Sequence, residues 1–204
     1  MSEPAERLLN VDEFLAWAEG REGKFELHDG RIVAKFGQDE DKILAMSPER
    51  VRHAGGKTRT AVALSLAIRS AKLACGVYVD GVSVRADNDR AFVPDVLVAC
   101  PPPPPDVVEI DNPLIVVEVL SPSTAETDQS LKLESYLSLP SLAHYLILDP
   151  VRRVVIHHAR QDGDRAATRI LHAGPLRLDP PGLEIEVEDL FEPEGVAGAG
   201  MVEV

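Results

Sequence analysis

Aromatic residues are scarce in this sequence: one Trp, three Tyr and five Phe, or 4% of 204 residues. The core must therefore be packed mainly from Leu, Val, Ile and Ala, within a 45% apolar, 27% charged composition that is ordinary for a globular chain. The scarcity also disfavours a paired-carboxylate glycosidase, whose substrate cleft is normally lined with aromatic rings. Cys75 and Cys100 are the two cysteines, with no histidines at zinc-like spacing. They suggest neither a zinc site nor a disulfide framework, and both read as small buried residues. No run approaches the roughly 20 apolar residues needed to span a bilayer, and the opening MSEPAERLLN lacks the basic-then-apolar pattern of a secretory signal. A soluble cytoplasmic protein with no membrane partner is expected. Neither a nucleophile elbow with Ser-His-Asp order nor a phosphate-cradling glycine loop is found, which disfavours a serine hydrolase and a nucleotide kinase.

Positive charge is in deficit as well. The formal net charge of -13 sets up a field that repels polyanions, so the chain does not coat DNA by bulk electrostatics. The distribution is uneven, however. Arg50, Arg52, Lys57, Arg59, Arg69 and Lys72 fall in one stretch without an acid, which leaves -19 on the rest of the chain. A solvated helix face and a phosphate-contacting surface account for such a stretch equally well.

The length suits one domain, expected over residues 1–191, with a flexible tail over 192–204. Asn10 with Glu13 makes a capping box that opens a short helix stopped near Gly20. Asp29-Gly30, between two β-prone runs, predicts a two-residue hairpin, and Asp80-Gly81 predicts another. Ser47-Pro48 starts a long helix that runs to about Cys75, weakened locally by Gly55-Gly56. AFVPDVLVA reads as a strand, and the five prolines from Pro101 end it. PLIVVEVL is a near-continuous apolar run, the pattern of a central strand covered on both faces. A helix containing Leu133, Tyr136 and Leu137 follows, then the strand AHYLILDP, with RRVVIHHAR pairing back onto it and LEIEVEDLF adding a last short strand.

Glu118 stands inside the most apolar strand, where an ionised carboxylate costs several kcal/mol unless it is paired or metal-bound. Its bland alternative is a glutamate satisfied by a local arginine or backbone donor. Asp95 follows Pro94 on another strand; if the two strands are neighbours, both carboxylates can converge on one hard cation through oxygen ligands. Lys132, on the next helix and one turn after Asp128, can point back over the strand ends, with Asp128 as an i,i+4 partner. Its ammonium would stabilise charge growing on a scissile phosphate. His157 and His158 are adjacent and face opposite sides of a strand, so they cannot chelate one metal together. Glu26 and Asp29 read as hairpin residues.

Glu26-Leu27-His28-Asp29-Gly30, Met46-Ser47-Pro48 with His53, Pro94-Asp95, the run from Glu118 to Thr124, Asp128, Lys132, Tyr136 and Tyr145 with Asp149-Pro150 together resemble the Uma-type restriction-endonuclease family of the PD-(D/E)XK nuclease superfamily. The likeness covers most of residues 20–150, and EVLSPST with its spaced Asp and Lys is its most specific part. It implies an α/β restriction-endonuclease-like core, a central mixed β-sheet flanked by helices, with Mg2+ or Mn2+ as cofactor and cleavage of nucleic acid, DNA above all. Asp95 and Glu118 are the implied metal ligands, with Lys132 as the third catalytic residue. The likeness also implies that the helix carrying His53 supplies a further group near the metal, although His53 taken by itself reads as a surface histidine; His53, Arg52 and Lys57 of the basic stretch are the candidate substrate contacts. The usual lysine position of the superfamily, two residues after the second acid, holds Leu120, and His144 stands where relatives often carry an acid. A catalytically silent binding or assembly module on the same fold is the alternative, and a homodimer is compatible with either.

Overall fold

The computed structural model describes residues 7–21, 23–34, 50–120, 126–161 and 165–193. Helix α1 (Val11–Ala18) carries the expected capping box: Asn10 Oδ1 accepts from the Glu13 N–H at 2.9 Å, and the Glu13 carboxylate accepts from the Asn10 N–H at 3.1 Å. Its buried face, Val11 and Phe14, packs on the hairpin of β1 (Phe25–His28) and β2 (Arg31–Ala34). Asp29 and Gly30 turn that hairpin at φ 49° and 77°, the left-handed region a two-residue turn requires.

Two main sheets are formed. The first runs β2-β1-β5-β4-β7, with β4 (Ser83–Asp87), β5 (Arg90–Phe92) and β7 (Glu109–Ile110). The second runs β11-β10-β9-β8-β6-β3, with β3 (Gly76–Val79), β6 (Val96–Ala99), β8 (Ile115–Val119), β9 (His144–Asp149), β10 (Val154–Arg160) and β11 (Ala166–Leu171). It is mixed, because β8 and β9 are parallel and the other pairs antiparallel. Strand β8 lies inside this sheet, as its apolar run predicts. Alternate residues of β8 face opposite layers: Ile115, Val117 and Val119 meet Leu64 and Ile68 of α2 (Val51–Ala71), whereas Val116 meets the cluster of Tyr136 and Leu139 from α3 (Glu126–Ser138) and the segment after it. The hairpin of β12 (Pro175–Leu178) and β13 (Leu183–Glu186) adds Leu176, Leu178, Leu183 and Ile185 to the α2 layer. Strands β11 and β12 have no counterpart in the sequence expectations.

Several expectations are corrected. Asp80 and Gly81 have the φ values of a hairpin turn, 51° and 79°, but β3 and β4 do not pair; the chain leaves the second sheet for the first at this point. AFVPDVLVA is not one strand. Proline offers no N–H to a ladder, and Val93-Pro94-Asp95 separates β5 in one sheet from β6 in the other. Cys75 and Cys100 are half-buried and form a disulfide, because the register that pairs Gly76 with Ala99 makes them the next opposed residues, with Cα atoms 4.3 Å apart. Glu192, where the expected tail starts, contacts the fold: its Oε1 accepts from Arg59 at 3.0 Å and its carbonyl from Arg153 at 2.5 Å. Residues 194–204, and Ser47-Pro48 at the expected helix start, lie outside the described residues.

His157 and His158 do face opposite ways, and His157 completes a chain of donors. Arg169 Nη2 lies 3.4 Å from His157 Nδ1, His157 Nε2 is 2.9 Å from His144 Nδ1, and His144 Nε2 is 2.9 Å from the Pro180 carbonyl. A guanidinium only donates and a carbonyl only accepts, so the direction is fixed and both imidazoles are neutral. Burial first, then His144 and Arg169, pull His157 down from 6.5 to about 4. The folded value lies below the unfolded one, so the unfolded chain takes up the proton first as pH falls from 6.5 toward 4, and stability is lost through that window. Discounted for screening, this is about 2 kcal/mol. Urea titrations are expected to show a His157→Phe variant losing about that much less stability than wild type between pH 7 and 4.5.

Candidate active site

The site lies where the two sheets meet. Antiparallel pairing of β6 with β8 joins Val96 to Val117 and Leu97 to Val116, and the same register carried one residue further sets Asp95 across from Glu118. Both are buried, at 1% and 8% exposure. Asp95 Oδ2 accepts from the Val119 N–H at 2.7 Å. His53, from the first turns of α2, brings Nε2 to 2.7 Å from the Val119 carbonyl and 3.5 Å from Asp95 Oδ2. Since a carbonyl only accepts, Nε2 carries the hydrogen. The approach of α2 to β8 uses Gly56, where an added Cβ would stand 3.2 Å from Val119 Cγ1. Gly56, the second of the two glycines that weaken the helix pattern, thus stands where α2 passes close to β8, whereas Gly55 faces the Arg59 side chain.

Helix α3 supplies the opposite wall. Lys132, 4% exposed, places Nζ 3.3 Å from Glu118 Oε1 and 2.9 Å from Glu26 Oε1, and 5.7 Å from the centre of the Phe92 ring. The Tyr136 hydroxyl, one turn later, donates to Glu118 Oε1 at 3.1 Å. Burial first, then the charges of Glu118 and Glu26, push the Tyr136 phenol well above its ordinary value, so it remains a donor. Glu26 Oε1 also accepts from the Val93 N–H at 3.1 Å, and Glu26 Oε2 lies 3.0 Å from His28 Nε2.

Of the residues singled out in the sequence, Asp95, Glu118, Lys132 and His53 come together here. His53 is a buried residue, not a surface histidine. Lys132 turns inward to Glu26 and Glu118; the side chain of Asp128, its expected partner, lies outside the described ones. Arg52 is exposed on α2. Lys57 is buried and meets Asp80 Oδ2 at 2.9 Å, which Lys24 also approaches at 3.1 Å, while the Asp80 N–H donates to the Asp95 carbonyl at 3.2 Å. The sequence reading missed Glu26, which is 2% exposed and not a surface residue of the hairpin. The alternation of β1 held the signal: Phe25 and Leu27 pack with α1, so Glu26 must face the other way, toward α3.

Two carboxylates, one on β8 and one just before the adjacent β6, are hard oxygen donors of the kind that suit Mg2+ or Mn2+. Among the described residues no cluster of three or more His, Cys, Asp or Glu could hold a metal. Two carboxylates alone would leave most of the coordination positions of such an ion to water and to substrate oxygens.

A mixed sheet flanked by helices, with one acid on β8 and another immediately before its neighbour β6, defines a restriction-endonuclease-like α/β fold. A solved structure shares it: a protein of Anabaena variabilis described as a "putative nuclease belonging to DUF820", with a TM-score of 0.67 at 16% identity over 89% of this chain and 97% of that one. Residues 11–192 match the family described as "Uma2: Putative restriction endonuclease", and the chain belongs to that family. Two uncharacterized proteins of Synechocystis sp. are also similar. One is 27% identical over 90% of this chain and 91% of its own length, the other 34% identical over 39% and 46%.

Proposed function

We propose that the protein is a metal-dependent endonuclease that hydrolyses phosphodiester bonds of nucleic acid, DNA above all, with Asp95 and Glu118 as ligands of Mg2+ or Mn2+. The observation that carries this reading is the inward Lys132, whose ammonium reaches Glu118 from α3 although Leu120 stands at the usual lysine position. The same observation favours a working site over a silent binding module, since a lysine kept only for solubility would be directed to solvent. A divalent ion held there would lower the pKa of a bound water and polarise the phosphate.

The chain's own residues do the rest. Asp95 is oriented by the Val119 N–H, which His53 supports by binding the carbonyl of the same residue. Lys132 offsets one of the two negative charges of Glu26 and Glu118 and supplies a positive group where negative charge develops on the phosphate. The net charge opposes DNA in bulk, so productive encounter depends on local cations such as exposed Arg52, and activity is expected to fall steeply with salt.

Nicking of supercoiled plasmid and of single-stranded oligonucleotides, in Mg2+, Mn2+ and EDTA, tests the reading. Cleavage is expected with either metal, none with EDTA, and a rate at least about a hundredfold lower for Glu118→Gln, because the ligand itself should matter more than groups that merely orient ligands. Equal rates for wild type and the folded Glu118→Gln variant would rule out the assignment.

A further inference from the structure

The metal reading uses Asp95, Glu118 and Lys132 and leaves the most deeply buried polar group of the site, the Tyr136 hydroxyl, without a task. Tyr136 is fully buried, and its ring is clamped by Phe92 and Tyr145, with centroids 5.4 and 5.1 Å away. Its hydroxyl and the Lys132 ammonium stand one helical turn apart and address the same atom, Glu118 Oε1, from 3.1 and 3.3 Å. Two donors from one rigid helix on one oxygen fix a carboxylate's rotamer far better than one flexible ammonium does, since lysine has four rotatable side-chain bonds and a buried tyrosine almost none to spare.

We infer that Tyr136 is a positioning residue, which orients Glu118 through Oε1 so that the carboxylate presents a fixed geometry to the divalent ion. The inference rests on the proposed metal site, and it assigns α3 a role beyond carrying Lys132. Positive charge at the site comes from Lys132, whereas the uncharged Tyr136 hydroxyl contributes direction, from a ring that its aromatic neighbours hold in place. Groups that orient a metal ligand typically contribute 10–100-fold to metal affinity or activity. The effect should be confined to Glu118, because Asp95 is oriented from a different quarter, by the Val119 backbone.

Mn2+ calorimetry on full-length wild type, Tyr136→Phe, Glu118→Gln, the Tyr136→Phe/Glu118→Gln double variant and Leu139→Ala tests this. The Phe variant keeps the ring contacts with Phe92 and Tyr145, and near-ultraviolet circular dichroism verifies its packing. Leu139 is buried at the end of the same layer and has no side-chain polar atom, so its truncation loosens the packing around α3 without touching Glu118. Mn2+ affinity is expected to fall about 10- to 100-fold in Tyr136→Phe, to stay within about threefold of wild type in Leu139→Ala, and to be no lower in the double variant than in Glu118→Gln alone. Wild-type affinity in Tyr136→Phe overturns the inference, and so does an equal loss in Leu139→Ala, which would reduce the effect to general loosening. If Glu118→Gln binds Mn2+ as wild type does, or wild type binds none, the metal site itself fails, and that outcome is separate from a failure at Tyr136 alone.

Discussion

Replacing Lys132 with Met is expected to lower the unfolding free energy by about 3–5 kcal/mol and to abolish cleavage, although Met fills nearly the same volume. Glu26 and Glu118 are almost fully withdrawn from water, and Lys132 Nζ, at 2.9 and 3.3 Å, is the cation they share. Taking that cation away leaves two buried like charges facing one another, which costs more than the ion pair contributes in the intact protein. For a chain of this length, each kcal/mol moves Tm by about 2–4 °C, so thermal melts should shift by roughly 10 °C. Adding Glu26→Gln to Lys132→Met should recover a good part of the stability, because a single carboxylate then remains to be satisfied, partly by the Tyr136 hydroxyl. Cleavage should stay lost in both. A melt of Lys132→Met within about 2 °C of wild type would mean that the two carboxylates do not depend on this lysine.

Reduction of the Cys75–Cys100 disulfide is expected to be nearly as costly. The bridge joins residues 25 apart and closes a loop that contains β3, the crossing at Asp80-Gly81, the β4–β5 hairpin, Asp95 and β6. The loop-entropy relation gives about 3.5 kcal/mol for a loop of this size, or roughly 7–14 °C in Tm. Melts with and without a dithiol reductant measure it, with thiol content followed by mass. A Cys75→Ser/Cys100→Ser variant should melt like the reduced wild type and ignore the reductant. If the fully reduced protein melts where the oxidised one does, the bridge closes a loop that is already held by its sheets. Because Asp95 lies within the loop, reduction should also weaken metal binding at the site.

How much of this was legible in the sequence depends on the range over which each signal acts. The α1 capping box and the Asp29-Gly30 turn are set by residues three or fewer apart, and both stand as read. Strand β8 and the β8-α3-β9 passage were legible because an apolar run followed by a helical period leaves few alternatives. Asp80-Gly81 has the local backbone of a hairpin turn and still failed, since pairing of the flanking strands is decided by the sheets they join, not by the turn. The disulfide was invisible for a related reason. Its two cysteines are brought together by the β3–β6 register, a long-range fact that composition and spacing do not carry.

In the site, Glu118 was recognisable alone, as a charge in a strand with no polar face to spare. Asp95 and Lys132 needed the family likeness, because nothing local says that a Pro-Asp or a helical lysine will end beside β8. Leu120 in the usual lysine position is compatible with the site geometry, since α3 returns an ammonium to Glu118 from twelve residues further along. Glu26 was passed over because the turn three residues later gave it a sufficient local explanation, and the alternation of β1 was not followed to the layer it faces.

The most direct test of the central claim, that Asp95 and Glu118 form one divalent metal site, is the anomalous difference map of a crystal soaked in millimolar Mn2+. The account predicts a peak bonded to one oxygen of each carboxylate at about 2.1 Å, close to the Val119 end of β8, and its loss in Glu118→Gln crystals. A peak held by other residues, or none beside these two carboxylates, would contradict it.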